Sequence, residues 1–342
     1  MAGFGLRVVP CPPEARGAAL EVLYRRVPEV LRDRLIAEVL DEAQRGEIDL
    51  SGIWVARERT GRITGALLTQ PLAGKAAAVW APEVKSSWRR AAVAAALVQE
   101  ALADLKARGF RLAQAVLDES AGSHAGRDLN RGGMPRVTEL LYLERDTSIP
   151  LPPATTEAVP KPSRLINPAP AWSGSLLHPD PCSCSGFKWR SFEAALESEF
   201  RSVLQATYTG SLDMPELEDV RAFDDILESH RAAGRFVAER WRLGRVLDKP
   251  DAAAVLLMAE VSGRNVWEVI YLGLTPAARG RGLGRAVIQH ALELARDRVP
   301  WLELAVDLRN TPALRLYEAA GFVACARRAV HLAIFPTTAL SP

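Results

Sequence analysis

Between Leu274 and Ala286 the chain reads Leu-Thr-Pro-Ala-Ala-Arg-Gly-Arg-Gly-Leu-Gly-Arg-Ala, three glycines interleaved with three arginines. A glycine-rich turn that opens a helix leaves main-chain N–H groups unpaired at the positive end of the helix dipole, which makes an anion site. Glycines at 280, 282 and 284 let a pyrophosphate approach the backbone without meeting a Cβ. Arg279, Arg281 and Arg285 add positive charge suited to phosphate oxygens. Spacing excludes two common phosphate turns. A P-loop ends in Gly-Lys-Ser/Thr, whereas this turn ends Gly284-Arg285-Ala286. A GxGxxG dinucleotide turn starting at Gly280 needs glycine at 285, where Arg285 stands. Taken alone, the segment could equally be a glycine turn that caps a strand–helix junction among solvated arginines.

A second segment decides between these readings. From Asn310 to Phe322 the chain reads Asn-Thr-Pro-Ala-Leu-Arg-Leu-Tyr-Glu-Ala-Ala-Gly-Phe. Together, Arg279-x-x-Gly282-x-Gly284 and this stretch resemble the two signature segments of the GCN5-related N-acetyltransferase (GNAT) superfamily, in the expected order and separation. The resemblance covers about Phe187 to Phe335 well and the N-terminal half only by layout. It implies acetyl-CoA as cosubstrate and no metal. The backbone of Leu272, Gly273 and Leu274 would hold the pantetheine arm and meet the thioester oxygen. Gly280, Arg281, Gly282, Leu283, Gly284 and Arg285, led by Arg279, would cradle the pyrophosphate, and Asn310 would hold the pantetheine or the neighbouring strand end.

Acylating an amine with a thioester requires loss of an amine proton, stabilisation of the thioester oxygen and protonation of the departing thiolate. The resemblance places Tyr317 near the sulfur as the acid; the bland alternative is a tyrosine packed under Phe322. For the base, strand alternation in Val266–Leu272 puts Glu268, Ile270 and Leu272 on one face, pointing Glu268 into the cleft. Glu303, Asp307 and a chain of waters are alternatives. In this superfamily the first two helices and their connection roof the acceptor site. Here that connection, Tyr208 to Val220, is acidic and runs on to Asp224, Asp225 and Glu228, with Arg221 the one basic residue from 213 to 228. An acidic mouth favours a cationic amine. The acceptor is a small molecule or a peptide, and the other class of function is an acyl-CoA binder or sensor without turnover.

The elements that must position these residues fall into two similar runs. After the linker come helices at 191–207 and 222–233, strands at 236–246, 253–261 and 266–274, a helix at 284–298, a strand at 301–306, a helix at 312–320 and a final strand from Val323. Before it, helix candidates span 13–45, then a hairpin of 53–58 and 63–69, a strand at 76–80, a helix at 87–108, and strands at 112–117 and 137–144. This order predicts an α+β fold of two tandem GNAT-like domains, each a mixed, mostly antiparallel splayed sheet flanked by helices. The division is 1–146 for a degenerate copy, 147–186 for a Pro/Ser-rich linker and 187–342 for the catalytic copy. At the place of the glycine turn the first copy has Pro82-Glu83-Val84-Lys85-Ser86-Ser87-Trp88, with no glycine and a carboxylate that would repel phosphate.

The 342 residues are enough for two cores, and 43 Lys and Arg against 41 Asp and Glu give no general pull toward nucleic acid or membrane. Four cysteines form no disulfide framework, and His178, Cys182 and Cys184 lack the fourth ligand of a zinc site. No apolar run is long enough to span a bilayer. The chain reads as a cytoplasmic monomer or homodimer.

Overall fold

The computed structural model describes residues 6–85, 89–118, 121–122, 124–152, 187–247, 249 and 251–336. Most of the Pro-rich stretch, with Trp172, His178, Cys182 and Cys184, lies outside the described residues. The N-terminal half runs β1 (Arg7–Pro10), α1 (Arg16–Leu23), α2 (Glu29–Gln44), β2 (Ile53–Arg57), β3 (Ile63–Leu72), β4 (Ala76–Val79), β5 (Glu83–Val84), α3 (Arg90–Ala107), β6 (Leu112–Leu117), α4 (Ala125–Gly132) and β7 (Arg136–Asp146). The C-terminal half follows with β8 (Phe187–Ser191), α5 (Glu197–Tyr208), α6 (Phe223–Ala232), β9 (Trp241–Val246), β10 (Ala252–Glu260), β11 (Val266–Leu274), α7 (Leu283–Ala295), β12 (Trp301–Asp307), α8 (Thr311–Ala319) and β13 (Val323–Ile334). Apart from β5 the two halves repeat element for element, in the α+β layout the sequence predicts.

The helices form where apolar residues recur at helical spacing. α7 buries Val287, Ile288, Ala291, Leu292 and Ala295 against the sheet, and α3 buries Val93, Leu97, Val98, Ala101 and Leu105. The helix candidates over 13–45 resolve into α1 and α2, with Pro28, which cannot sit inside a helix, at the N-cap of α2. The short strands β1 and β8 escaped the pattern, as did α4, whose eight residues Ala-Gly-Arg-Asp-Leu-Asn-Arg-Gly carry two helix-weakening glycines.

Among the described residues one sheet of 13 strands runs through both halves, in the order β1-β2-β3-β4-β6-β13-β7-β12-β11-β10-β9-β8, with β5 on β3. The last strand of each half completes the sheet of the other. β7 lies antiparallel beside β12, β13 lies antiparallel beside β6, and the two exchanged strands pair with each other. The cores follow the strands. Leu143 of β7 packs with Leu256, Val287 and Leu304 of the C-terminal half, while Phe335 packs with Leu97 and Leu105 of the N-terminal half. Each such buried side chain contributes roughly 1.5–3 kcal/mol, and without the exchange β12 would be left with an open edge.

The first residues after β7, expected to begin the linker, are tied to the C-terminal half. Thr147 donates from its N–H to the Pro300 carbonyl at 3.0 Å and Arg285 donates to the Pro152 carbonyl, while Arg145 of β7 holds the carbonyls of Ile149 and Pro150, each at 2.9 Å. No helix among the described residues is long and apolar enough to cross a membrane. Among them, too, no group of three or more His, Cys, Asp or Glu side chains is placed to hold a metal ion.

Candidate active site

β11 runs into the glycine turn, and the turn opens α7. Gly280 and Gly282 have φ of 71° and 73°, in the left-handed region that favours glycine. Built at either position, a Cβ would meet nothing within 4 Å, so the face that glycine keeps bare is open space. Gly284 differs: a Cβ there would stand 2.9 Å from Leu316 Cδ2, so its smallness serves the packing of α7 on α8. Among the described residues, the N–H groups of Gly280, Arg281, Gly282, Leu283 and Gly284 have no hydrogen-bond acceptor. A string of unpaired amides at a helix N-terminus, with Arg281 exposed beside it, fits a phosphate group.

The arginines divide. Arg279, expected to add its charge to the phosphates, instead ties the end of β11 to the end of α5. It donates to the carbonyls of Leu274 (3.1 Å), Thr207 (2.7 Å), Thr209 (2.7 Å) and Gly210 (3.0 Å). Arg285 donates to the carbonyl of Pro152.

β11 and β12 are parallel neighbours only from Val266/Trp301 to Val269/Leu304. Beyond that pair they part, and Ile270–Leu274 keep only β10 as a neighbour. The cause is a bulge: Tyr271 lies opposite Leu257 and Val269 opposite Met258, so Ile270 is one residue too many. The bulge also reverses the alternation of side chains. Trp267, Val269, Leu272 and Leu274 pack on the α7 side, while Ile270 and Tyr271 pack on the α5 side. Glu268, alternating with Trp267 and Val269, therefore faces the α5 side, opposite to Leu272. The expectation that Glu268 and Leu272 share a face fails because simple alternation does not survive a bulge.

Glu268 sits at the closed end of the gap, in a pocket of about 250 Å³ shared with Arg264, Glu303, Tyr142, Cys325 and Arg328. Burial first, and then the Glu303 carboxylate, push its pKa above the usual carboxylate range, with Arg264 opposing. Glu303 itself is paired with Arg264, one contact being 3.0 Å. Asp307, at the end of β12, is committed to structure. Burial alone would raise its pKa, but donors from Arg309, Thr138 (2.6 Å) and the Met214 N–H (3.2 Å) outweigh it and hold the carboxyl low.

On the α7 side, Asn310 caps α8 by accepting from the Ala313 N–H at 3.3 Å. Tyr317 is buried in the core with Phe322, ring centroids 5.9 Å apart, and its hydroxyl has no partner among the described residues. Burial drives its pKa up, as do Asp213 and Tyr271, so the phenol stays protonated at neutral pH.

On the α5 side a cavity of about 430 Å³ stands over the gap, with Tyr271 of β11 and Ala305 of β12 in its floor. Its roof is the 209–221 connection and α6. Tyr208 and Tyr271 stack at 5.0 Å, and Tyr208 shares a 2.5 Å hydrogen bond with His230 Nε2. Burial and the nearby Arg221 lower the His230 pKa to about 4, which makes it neutral at pH 7. Pattern reading marked the acidic connection but missed Tyr208, Tyr271 and His230 as one site, since α5, α6 and β11 meet only in the folded chain. At the corresponding place in the N-terminal half the described residues before 86 are already paired. There the chain folds back as β5 onto β3, the Lys85 N–H is taken by the Thr64 carbonyl at 2.7 Å, and Glu83 is paired with Arg26 at 2.5 Å.

Residues 198–322 match the acetyltransferase (GNAT) family. Three relatives, each called mycothiol acetyltransferase, share parts of the chain. The Thermobifida fusca protein is 38% identical over 93 residues, 27% of this chain and 26% of its own length. The Thermomonospora curvata protein is 38% identical over 30% of this chain and 37% of its own length. The Salinispora arenicola protein is 34% identical over 33% of this chain and 41% of its own length. The similarity thus spans well under half of these relatives. Among solved structures, a GCN5-related N-acetyltransferase from Sphaerobacter thermophilus matches with a TM-score of 0.56 at 18% identity, over 97% of this chain and 96% of that one. The glucosamine N-acetyltransferase region of a fungal multi-domain β-N-acetylglucosaminidase matches with a TM-score of 0.57 at 15% identity, over 97% of this chain and 38% of that one. At such identity these two likenesses establish the fold.

Proposed function

The chain belongs to the GNAT superfamily of acetyltransferases, and on that premise we propose that its C-terminal half transfers an acetyl group from acetyl-CoA to an amine by direct attack. One observation carries the reading. A row of unpaired amides at Gly280–Gly284 leads directly to a gap between β11 and β12 that has Tyr317 on one side and a cavity on the other. The amides hold the diphosphate, and the free edge of β11 at Leu272–Leu274 holds the pantetheine and faces the thioester oxygen as it gains charge. The amine enters from the cavity and its nitrogen bonds to the thioester carbon. Glu268, basic enough through burial, takes the proton the nitrogen sheds through intervening water. The carbon–sulfur bond breaks and Tyr317 gives its proton to the departing sulfur. Asn310 fixes the start of α8, and so the position of Tyr317.

In this proposal residues 1–146 are a copy that has lost donor binding, because β5 and the Lys85 N–H are paired with β3 and its flank, and Glu83 sets a carboxylate where the diphosphate would lie. The reaction belongs in the cytoplasm, as the free thiols of Cys11 and Cys325 suit.

The test is calorimetric titration of acetyl-CoA into the full chain, followed by measurement of thiol release over a panel of polyamines, amino acids, aminoglycosides, arylalkylamines and peptides. Saturable binding with amine-dependent thiol release supports the proposal. Binding without thiol release for any amine makes the chain an acyl-CoA sensor, and no binding removes the donor site altogether.

A further inference from the structure

The cavity over the β11–β12 gap carries more information than that an amine enters there. Its walls are mostly apolar: Tyr208, Tyr271, Met214, Leu217, Phe223 and Ile226 present rings and alkyl groups to the space. A polyhydroxylated body placed against them would lose hydrogen bonds to water and regain few, which costs roughly 1–3 kcal/mol for each unpaired group. An alkyl or aromatic body gains by leaving water.

The charges in the cavity are arranged unequally. Arg221 donates to Ser229 Oγ at 2.7 Å and to the Gly74 carbonyl at 3.3 Å, which holds its guanidinium against α6 and the β3–β4 turn with its charge in place. Asp213, Glu218 and Asp219 are all exposed, and of the three Asp213 alone, among the described residues, has a carboxylate oxygen bonded to the end of β12. Arg309, the cation nearest the end of β12, is bound to Asp307 and Glu216. Asp213 is the acidic group at the inner end, beside the gap. Its Oδ1 accepts from the Asp307 N–H at 2.8 Å, and the Asn310 side chain lies alongside. A carboxylate has about four lone-pair sites, so these donors leave room for more. No lysine or arginine among the described residues makes an ion pair with it. Desolvation of the carboxyl, with the Asp307 carboxylate adding to it, raises its pKa, while the Asp307 N–H, Arg309 and Asn310 oppose the rise. Asp213 lines the same cavity as Tyr208 and Tyr271.

Resting on the acetyltransferase reading, we infer that Asp213 receives the ammonium of the acceptor, and that the acceptor is a primary amine on an apolar body, of the arylalkylamine or alkylamine class. The stacked Tyr208 and Tyr271 rings supply cation–π contact to the same ammonium and walls for its stem. The ammonium must give up one proton before attack, so Asp213 binds and orients the acceptor while Glu268 serves the proton.

The experiment is calorimetric titration of the full chain with phenethylamine, hexylamine, glucosamine and 2-phenylethanol, with thiol release from acetyl-CoA measured in parallel. Wild-type protein should bind phenethylamine and hexylamine at least tenfold more tightly than glucosamine. Asp213→Asn, which keeps the Oδ1 acceptor, should weaken both apolar amines at least tenfold while binding uncharged 2-phenylethanol as wild type does; that last result also reports an intact cavity. Glucosamine binding as tightly as the apolar amines would overturn the inference. So would apolar-amine binding that Asp213→Asn leaves unchanged. Asp213-dependent binding without thiol release would sustain this assignment and sink the acetyltransferase reading. Thiol release with glucosamine alone would do the reverse.

Discussion

Gly282→Ala separates two demands that meet at one residue. The φ of 73° costs an alanine roughly 1–2 kcal/mol, and since a Cβ there meets nothing within 4 Å, packing adds no further penalty. For a chain of this size that lowers the melting temperature by roughly 1.5–3 °C. The second demand is the ligand's. The added methyl projects into the space where the diphosphate would lie and pushes it off at least one amide. A charge-assisted hydrogen bond is worth roughly 1.5–3 kcal/mol, so CoA affinity should fall by roughly 10- to 150-fold. Gly46→Ala is the matched control: its φ of 75° and empty surroundings impose the same backbone strain far from the turn. Calorimetric titration of CoA into the wild type and both variants, with melting curves for each, reads the two terms separately. If Gly282→Ala loses stability as Gly46→Ala does but binds CoA within threefold of wild type, the turn does not hold the diphosphate.

Three further outcomes follow from the same geometry. Tyr317→Phe should lower kcat by about 10²- to 10⁴-fold in a thiol-release assay, because the phenol's hydroxyl has no structural partner to lose; an unchanged kcat would remove it as the acid. Gly74→Ala should cost roughly 2–5 kcal/mol and raise the KM for the amine, since a Cβ on the β3–β4 turn would stand 1.8 Å from the Asp225 carbonyl of α6, which roofs the cavity; a wild-type melting temperature and KM would show that the two halves do not brace the roof. Acid should destabilise the fold before it titrates most carboxylates. His230 and His290 have folded pKa values near 4, through burial first, then Arg221 and Arg242 respectively. The unfolded chain takes up those protons first, so their contribution is complete above about pH 6.5 and is lost as pH falls toward 4, up to roughly 3 kcal/mol for each. Melting temperatures measured from pH 7.5 to 4.5 should fall across that window, less steeply in His230→Gln, and a flat profile would refute the account.

The sequence by itself determined the parts of the site that are continuous in the chain. The turn at Gly280–Gly284 and the helix from Asn310 to Phe322 are each set by neighbours a few residues away: glycine where φ is positive, a capping asparagine, a proline in the first turn and apolar residues at helical spacing. The element order, and with it the α+β layout, was legible for the same reason. Tertiary structure alone decided what depends on which distant edge is free. Nothing local in Arg136–Asp146 says that β7 will lie against β12 and not beside β6, because its leucines suit any central strand. Arg279 looked like a phosphate ligand until the fold brought it the carbonyls of Thr207, Thr209 and Gly210, some seventy residues earlier. The direction of Glu268 turned on one extra residue at Ile270, and a bulge is a property of two paired strands rather than of one sequence. The cavity proposed for the acceptor is the extreme case: α5, α6, β7, β11 and β12 each contribute a wall, and its chemistry exists only where they meet.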